Sequence, residues 1–382
     1  MLTLPPLALY VHLPWCARKC PYCDFNSHEF AGAIPEEAYI QRLLADLDTD
    51  RHWTQGRAIG SIFIGGGTPS LFSAAAIQRL LEGVRERIDL VNNTEITLEA
   101  NPGSAERSKF TAFRAAGINR LSIGVQSFSD ESLHHLGRVH DSAEAHAAIA
   151  AAQAAGFERI NIDLMHGLPG QTPSAALADI EQAIDHGVTH ISWYQLTLEP
   201  NTIFHRSPPV LPADDLLADI QEQGHARLCQ AGFGRYEVSA YARAGACCRH
   251  NLNYWHFGDY IGIGAGAHGK LTIADAAAVL RTWKTRAPRD YLDNEVSSLR
   301  SQRQVASDEL ALEYLMNALR LGTGGSITEF GTRTGLDYSV IAPTVQALRD
   351  EGLLVDDKEV LCATDVGYRF LDSVLQRFLS ND

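Results

Sequence analysis

The sequence lacks the long apolar run that a membrane-spanning helix requires. No stretch of its 382 residues approaches about 18–20 consecutive apolar residues. The first residues, MLTLPPLALYVHLPWC, also lack the basic segment with which a secretory signal peptide begins. We therefore expect no integral membrane segment and a cytoplasmic location.

Basic residues are in the minority, and cysteine is scarce. The chain has 32 Lys and Arg against 46 Asp and Glu, a net charge of −14, which repels phosphate backbones and disfavours a nucleic-acid partner. Seven cysteines are too few, and odd in number, for a disulfide framework in a chain of this length. Three of them crowd into one short segment, Cys16, Cys20 and Cys23, which in a reducing compartment indicates a metal-binding or catalytic site.

The chain alternates β-rich runs with amphipathic helical segments up to about residue 270, the pattern of an α/β fold with a parallel sheet. The predicted strands begin at Leu7, Ser61, Thr94, Arg120, Arg159, His190 and Arg235. Six or seven such units suffice for a partial or full barrel, whose active site lies at the carboxyl ends of the strands. The polar residues that follow successive strands are therefore expected at one mouth.

The segments after residue 270 have a different character. We predict a barrel domain over 1–284, a polar linker over 285–303 with at most a short helix, and a C-terminal domain over 304–382. Helices over 308–320 and 338–351 followed by GLLVDDKEVLCAT, a predicted hairpin, resemble a winged-helix-like α+β module. From Arg300 to Asp382 there are 8 basic and 13 acidic residues, a net −5, which favours a structural or partner-docking role over DNA binding.

The spacing Cys16-x3-Cys20-x2-Cys23 directly after the first predicted strand is the strongest chemical signal. Three thiolates in one loop can each hold one iron of a [4Fe-4S] cluster, which leaves the fourth iron open to another ligand. The alternative is a zinc site completed by Cys229, Cys247, Cys248 or a histidine, although no second cysteine knuckle is visible. The loop resembles that of radical S-adenosylmethionine (SAM) proteins, in which the open iron binds SAM.

Further motifs resemble the oxygen-independent coproporphyrinogen III oxidase family over most of the chain. They occur in the family's order and include YVHLPWCARKCPYCDFNSH, IGGGTPSL, TLEANPG, GVQSF, LGRVH, NIDLMHGLPGQT, YQLTLEP and GIGAGAHG. The resemblance implies a partial (β/α)6-type barrel and a cluster bound by the three cysteines. It also implies SAM contacts from Tyr10, Tyr22, Gly66, Gly67, Thr68, Glu99, Gln126, Arg138, Asp163 and His268.

Two departures separate the sequence from the oxidase itself. The oxidase has a further cysteine two residues after the cluster motif, where this chain has Phe25. It also has a longer segment before the first strand, whereas Tyr10 here lies nine residues after Met1. Both departures argue against coproporphyrinogen decarboxylation.

The sequence HNLNY from His250 to Tyr254 points to another branch of the family, the haem chaperones, in which an HNxxY motif is associated with haem binding. The resemblance implies that His250, Asn251 and Tyr254 belong to a haem site, with the imidazole as an axial ligand to iron. We expect this segment near the barrel mouth. Taken alone, a histidine beside aromatic residues is more often a satisfied core residue, and the adjacent Cys247 and Cys248 are either core residues or a site of haem attachment.

Two functions are therefore considered. The first is a haem chaperone that binds haem, a [4Fe-4S] cluster and SAM and passes haem to acceptor proteins such as respiratory cytochromes. The second is a catalytic radical SAM enzyme, either a coproporphyrinogen III oxidase or a related methyltransferase. Phe25, the short segment before Tyr10 and the HNxxY motif favour the chaperone. Whether the chain is an enzyme, takes haem from a donor or forms a homodimer is left open.

Overall fold

The computed structural model describes residues 2–30, 32–293, 295 and 297–379. The strands are β1 (Leu7–Leu13), β2 (Trp15–Cys16), β3 (His28–Glu29), β4 (Ile59–Gly66), β5 (Leu90–Ala100), β6 (Arg120–Gln126), β7 (Arg159–His166), β8 (His190–Gln195), β9 (Gly234–Glu237), β10 (Ala240–Ala242), β11 (Asp259–Ile263), β12 (His268–Ile273), β13 (Ala278–Lys284), β14 (Leu299–Gln304), β15 (Gly325–Ser326) and β16 (Val360–Leu361).

The helices lie between these strands and at the end of the chain. They are α1 (Glu36–Asp50), α2 (Ala74–Arg85), α3 (Ser104–Arg107), α4 (Phe110–Ala116), α5 (Asp130–His135), α6 (Ser142–Ala154), α7 (Pro173–Asp185), α8 (Ile203–Arg206), α9 (Asp214–Gln230), α10 (Arg249–Trp255), α11 (Pro288–Leu292), α12 (Ser307–Ala318), α13 (Ile327–Thr334), α14 (Ala342–Asp350), α15 (Asp365–Arg369) and α16 (Leu371–Gln376).

One large sheet organises the molecule, in the order β14-β13-β12-β11-β1-β4-β5-β6-β7-β8-β10-β9. The strands from β11 to β8 in this order pair in parallel. Their apolar residues are buried along most of their length, as expected of strands covered on both faces. Within the described residues the order has two free ends, β14 and β9, so the sheet is open. The predicted α/β partial barrel is confirmed.

The last predicted strand of the barrel differs from the prediction. The segment from Arg235 forms two short antiparallel strands, β9 and β10, at the edge of the sheet. Two residues separate these strands, and a connection of that length permits only antiparallel pairing. β1 pairs in parallel with β4 on one side and with β11 on the other, and β11 was not predicted as a strand.

Three antiparallel strands, β12 to β14, extend the sheet beyond β11. The segment predicted as a linker with at most a short helix contains α11, but it also contains most of β14. β14 is polar and largely exposed, so it carries no apolar pattern from which a strand could be predicted. The domain boundaries themselves remain a prediction.

Helices α12 to α16 form the C-terminal part of the chain. The predicted helix over 308–320 corresponds to α12, and the one over 338–351 begins with a 3-10 turn, Tyr338–Val340, before α14. The predicted hairpin forms a bridge between Leu354 and Ala363, while β16 pairs with β15. The hydrophobic core of this region includes Leu2, Phe257 and Val279, so it packs against β13 and the segment that follows α10.

Candidate functional site

The three-cysteine loop is held in a defined shape at the carboxyl end of β1. Cys16 ends β2, which pairs with β3 and so fixes both ends of the loop. Inside the loop, the Lys19 ammonium donates to the carbonyl oxygens of Phe25 and Ser27 at 3.0 and 3.3 Å. The Lys19 side chain therefore stabilises the loop, and all three cysteines line a common cavity.

That cavity has a volume of about 260 Å³ and will be called the cluster cavity. It gathers residues from the loop and from the carboxyl ends of β4 to β8, as the parallel fold predicts. Most of the predicted cluster and SAM residues line it, namely Cys16, Cys20, Tyr22, Cys23, Gly66, Gly67, Thr68, Glu99, Gln126, Arg138 and Asp163.

The donor set of the cluster cavity fits an iron–sulfur cluster. Burial raises the pKa values of the Cys16 and Cys23 thiols, so these thiols would lose their protons on binding iron, and an Arg138 guanidinium nitrogen lies 3.5 Å from Cys20 Sγ. Among the described residues, no three His, Cys, Asp or Glu side chains are arranged to hold a single metal ion. A [4Fe-4S] cluster needs no such convergence, since each cysteine binds a different iron.

The cysteines of the zinc alternative have other surroundings. Cys229 Sγ lies 3.7 Å from His225 Nε2 in α9, and Cys248 is buried with its thiol 3.5 Å from Glu95 Oε1. Neither lines the cluster cavity. The buried position of Cys248 is that of a core residue.

Two carboxyl groups face the cluster cavity without an ion-pair partner among the described residues. Glu99 Oε2 accepts from the Gly66 backbone N–H at 3.1 Å. Burial, with a contribution from nearby Asp163, raises the Glu99 pKa to about 8. Asp163 accepts from Ser122 and Asn161, and burial raises its pKa as well. A ligand that offers hydroxyl or ammonium donors would satisfy both groups.

The glycine turn after β4 brings this strand close to the cysteine loop. Gly66 has φ of +123°, and a Cβ on Gly67 would lie 2.5 Å from the Trp15 carbonyl oxygen. Their neighbour Thr68 donates its backbone N–H to the same carbonyl at 2.8 Å. Glycine is therefore needed here for close packing of strand and loop.

Asn101 and Tyr194 also line the cluster cavity, and neither was singled out from the sequence. Asn101 accepts from Arg138 at 2.7 Å, and the Tyr194 hydroxyl donates to Gln126 Oε1 at 2.6 Å. Gln126 has φ of +70°, an uncommon conformation for a residue other than glycine that is often found at functional sites. Asn101 and Tyr194 could have been found from their places after β5 and within β8.

A second cavity of about 900 Å³, the large cavity, adjoins the first. Phe25, Gly66 and Glu99 line both. Of the predicted SAM residues, Tyr10 and His268 line the large cavity but not the cluster cavity. The predicted SAM residues thus line two cavities that share part of their walls.

The HNxxY segment lies on α10, inside the open barrel. His250 is 1% exposed, with Nδ1 at 3.0 Å from Ser61 Oγ and Nε2 at 3.0 Å from the Tyr254 hydroxyl. Burial, reinforced by Arg120, lowers the His250 pKa to about 3. Because Ser61 lies near the amino end of β4, the expectation that this segment lies at the barrel mouth is wrong for His250.

The remaining residues of the motif have different positions. Tyr254 lines the large cavity, whereas Asn251 lines neither cavity. Both ring nitrogens of His250 are already hydrogen-bonded, so iron ligation by this imidazole would require the ring to leave its position. The role of His250 as a haem ligand remains a prediction.

The fold and the site together define a radical SAM protein. The Radical SAM superfamily matches residues 10–183, and the HemN C-terminal domain matches residues 305–370. The solved structure of the coproporphyrinogen III oxidase HemN from Escherichia coli has the same fold, with a TM-score of 0.81 over 98% of this chain and 90% of that chain, at 23% sequence identity.

Sequence comparison narrows this class. "Heme chaperone HemW" from Escherichia coli (strain K12) is 52% identical over 380 residues, 100% of both chains. The protein of the same name from Haemophilus influenzae is 48% identical over 99% of both chains. "Radical S-adenosyl methionine domain-containing protein 1, mitochondrial" from Bos taurus is 38% identical over 98% of this chain and 87% of its own length. The chain therefore belongs to the HemW family of radical SAM proteins.

In the part of the chain that the structure describes, no helix has the length and apolarity needed to cross a membrane.

Proposed function

We propose that this protein is a haem chaperone, which binds haem together with a [4Fe-4S] cluster and SAM and transfers the haem to acceptor proteins such as respiratory cytochromes. The observation that carries the proposal is the large cavity, whose wall includes aromatic side chains and which opens beside the cysteine loop. The relatives named as haem chaperones, which match the full length of the chain, support it.

In this proposal Cys16, Cys20 and Cys23 would hold three irons of a [4Fe-4S] cluster, which would supply an electron to SAM. The chain's own task is to hold SAM beside the loop. Glu99 and Asp163 are suited to accept hydrogen bonds from hydroxyl groups.

Other residues of the cluster cavity complete the proposed SAM site. The Arg138 guanidinium, which Asn101 and the Gly124 carbonyl hold in place at 2.7 Å, is suited to a carboxylate. Tyr22, Gly67, Thr68 and Gln126 form the remaining wall of the proposed site.

Haem is the proposed cargo, and the HNxxY motif contributes to its site. Tyr254 lines the large cavity directly, and His250 holds the Tyr254 hydroxyl through its Nε2. Asn251 follows on the same helix.

A catalytic radical SAM enzyme is the second candidate, because the coproporphyrinogen III oxidase HemN shares the fold. Phe25 argues against that activity, since its side chain is 61% exposed where the oxidase family has a further cysteine. An apolar ring that faces both cavities is suited to packing against a porphyrin rather than to binding iron.

The proposal includes a cytoplasmic location, because a cluster on free thiols needs a reducing compartment. It includes haem-acceptor proteins as partners, and no nucleic acid. A haem donor and a homodimer are compatible with it.

The test combines cluster assembly, haem binding and turnover in one sample. Anaerobic reconstitution with iron and sulfide is followed by a haem titration and by an assay of coproporphyrinogen III turnover with SAM and a reductant. Saturable binding of about one haem per chain without decarboxylation, followed by haem transfer to an apocytochrome, is the expected result. Turnover of coproporphyrinogen without stable haem binding would instead establish the second candidate.

A further inference from the structure

The large cavity has the size and the lining of a site for a large flat ligand. Its volume of about 900 Å³ lies near the upper end of small-molecule sites. Phe25 and Trp283 supply apolar ring surface, while Tyr10, Tyr254 and Tyr260 combine ring surface with hydroxyl groups. A porphyrin is a ligand of this shape and chemistry.

Two histidines line this cavity, and their rings differ in availability. His12 is buried, with Nδ1 at 2.9 Å from the Tyr10 hydroxyl and Nε2 at 2.8 Å from the Asn26 carbonyl oxygen. The His268 ring makes no hydrogen bond to any residue that the structure describes, and it stacks near Trp283 with ring centroids 6.5 Å apart. His268 is therefore the imidazole that can bind a metal without losing an existing partner.

The surroundings of His268 also favour the form that binds iron. Partial burial lowers the His268 pKa, and the positive charges of Arg281 and Arg286 lower it further. The lowered pKa favours the neutral imidazole, and only a neutral imidazole has the lone pair that a metal requires.

Cationic side chains line the cavity on the same side. Arg281 lies on β13, and its guanidinium donates hydrogen bonds to Glu313 Oε2 at 2.8 Å and to the Tyr260 hydroxyl at 2.9 Å. Arg286 is exposed, and no carboxylate in the described part of the chain lies within ion-pair distance of it. Guanidinium groups bind carboxylates in a bidentate fashion, and a haem carries two propionate carboxylates. In a chain with a net charge of −14, a free arginine beside an aromatic cavity indicates an anionic ligand group.

We propose that haem binds in the large cavity with His268 as a ligand to its iron and with Arg286 binding a propionate. This assignment rests on the proposed haem-chaperone function. His250 is then a positioning residue, which holds the Tyr254 hydroxyl at the cavity wall through a hydrogen bond and does not itself touch the iron.

The test is haem titration of the full, reconstituted chain, with absorption and electron paramagnetic resonance spectra of the ferric complex. His268→Ala should raise the haem Kd more than about tenfold and remove the imidazole signature, and added imidazole should restore it. His268→Gln, which keeps a polar side chain of similar length, should show the same loss. Iron and sulfide content reports whether each variant still assembles the cluster.

Three other variants distinguish iron ligation by His268 from propionate binding by Arg286 and from positioning of Tyr254 by His250. Arg286→Ala should raise the Kd about three- to tenfold and leave the ligand signature unchanged. His250→Ala should leave the imidazole signature unchanged. It should change the haem affinity only through loss of the hydrogen bond to the Tyr254 hydroxyl. His134→Ala, an exposed histidine of α5, is the matched control and should change neither quantity.

The possible failures are distinguishable. An unchanged signature in both His268 variants, or its loss in His250→Ala, would overturn the ligand assignment while leaving the proposed function intact. A wild-type chain that binds no haem would overturn both.

Discussion

Replacing Glu99 with glutamine should stabilise the metal-free protein at alkaline pH. The folded carboxyl has a pKa of about 8 against an ordinary value of 4.5, so between these values the folded state holds a proton that the unfolded state has lost. The free energy of unfolding therefore falls as pH rises through this window, and ionised Glu99 imposes its full cost above about pH 8.

The size of the effect follows from that difference. At about 1.4 kcal/mol per pH unit, the shift corresponds to at most about 5 kcal/mol. Because Glu99 is half-buried beside an open cavity, solvent screening reduces this energetic cost. We expect ionised Glu99 to lower the free energy of unfolding by about 2–3 kcal/mol. Glu99→Gln should thus match the wild type near pH 5 and exceed it by that amount at pH 8.5.

The assay is urea unfolding of the metal-free, reduced protein at pH 5.5, 7 and 8.5, followed by tryptophan fluorescence. Glu95→Gln is the matched control. Glu95 is also buried, but it pairs with Arg159 at 3.0 Å, so its replacement should lower stability at every pH. Weaker SAM binding by Glu99→Gln should accompany the gain in stability. A stability difference that does not change with pH would refute the reasoning.

Three further outcomes are expected. Cys20→Ser should abolish the visible absorption of the reconstituted cluster while the protein stays folded, as iron and sulfide analysis and circular dichroism would show. Lys284→Met should lower the free energy of unfolding by about 3–5 kcal/mol in urea, because it leaves buried Asp46 and Asp50 without their cation at 2.6 and 2.5 Å. Gly66→Ala should reduce cluster yield, because an alanine Cβ at φ +123° would lie 2.8 Å from a strand carbonyl oxygen; a full cluster yield would contradict this.

The parallel half of the sheet was predictable because its strands are apolar along most of their length. The pattern of β1, LALYVHL, is that of a strand buried on both faces. β11 is short and contains Gly262, and β14 is polar, so neither carries such a pattern. Their places in the sheet depend on pairing with residues far away in sequence.

The cluster cavity was predictable for a related reason. Its residues follow successive strands, and parallel strands bring their carboxyl ends to one edge. The large cavity draws Tyr10 and Phe25 from the start of the chain and Trp283 and Arg286 from more than 250 residues later. No local sequence pattern indicates that these residues lie together. The hydrogen bonds of His250 to Ser61 and Tyr254 could not be predicted from the sequence for the same reason.

The two cavities differ in how much of the chain must be synthesised before they exist. The cluster cavity is lined by residues from Cys16 to Tyr194, whereas the large cavity needs residues up to Glu313. Since chains emerge from the ribosome amino end first, the cysteine loop and its strands can pair before β11 to β14 have been made. The cluster site can therefore be built early, and the space beside it is enclosed only when the later strands arrive.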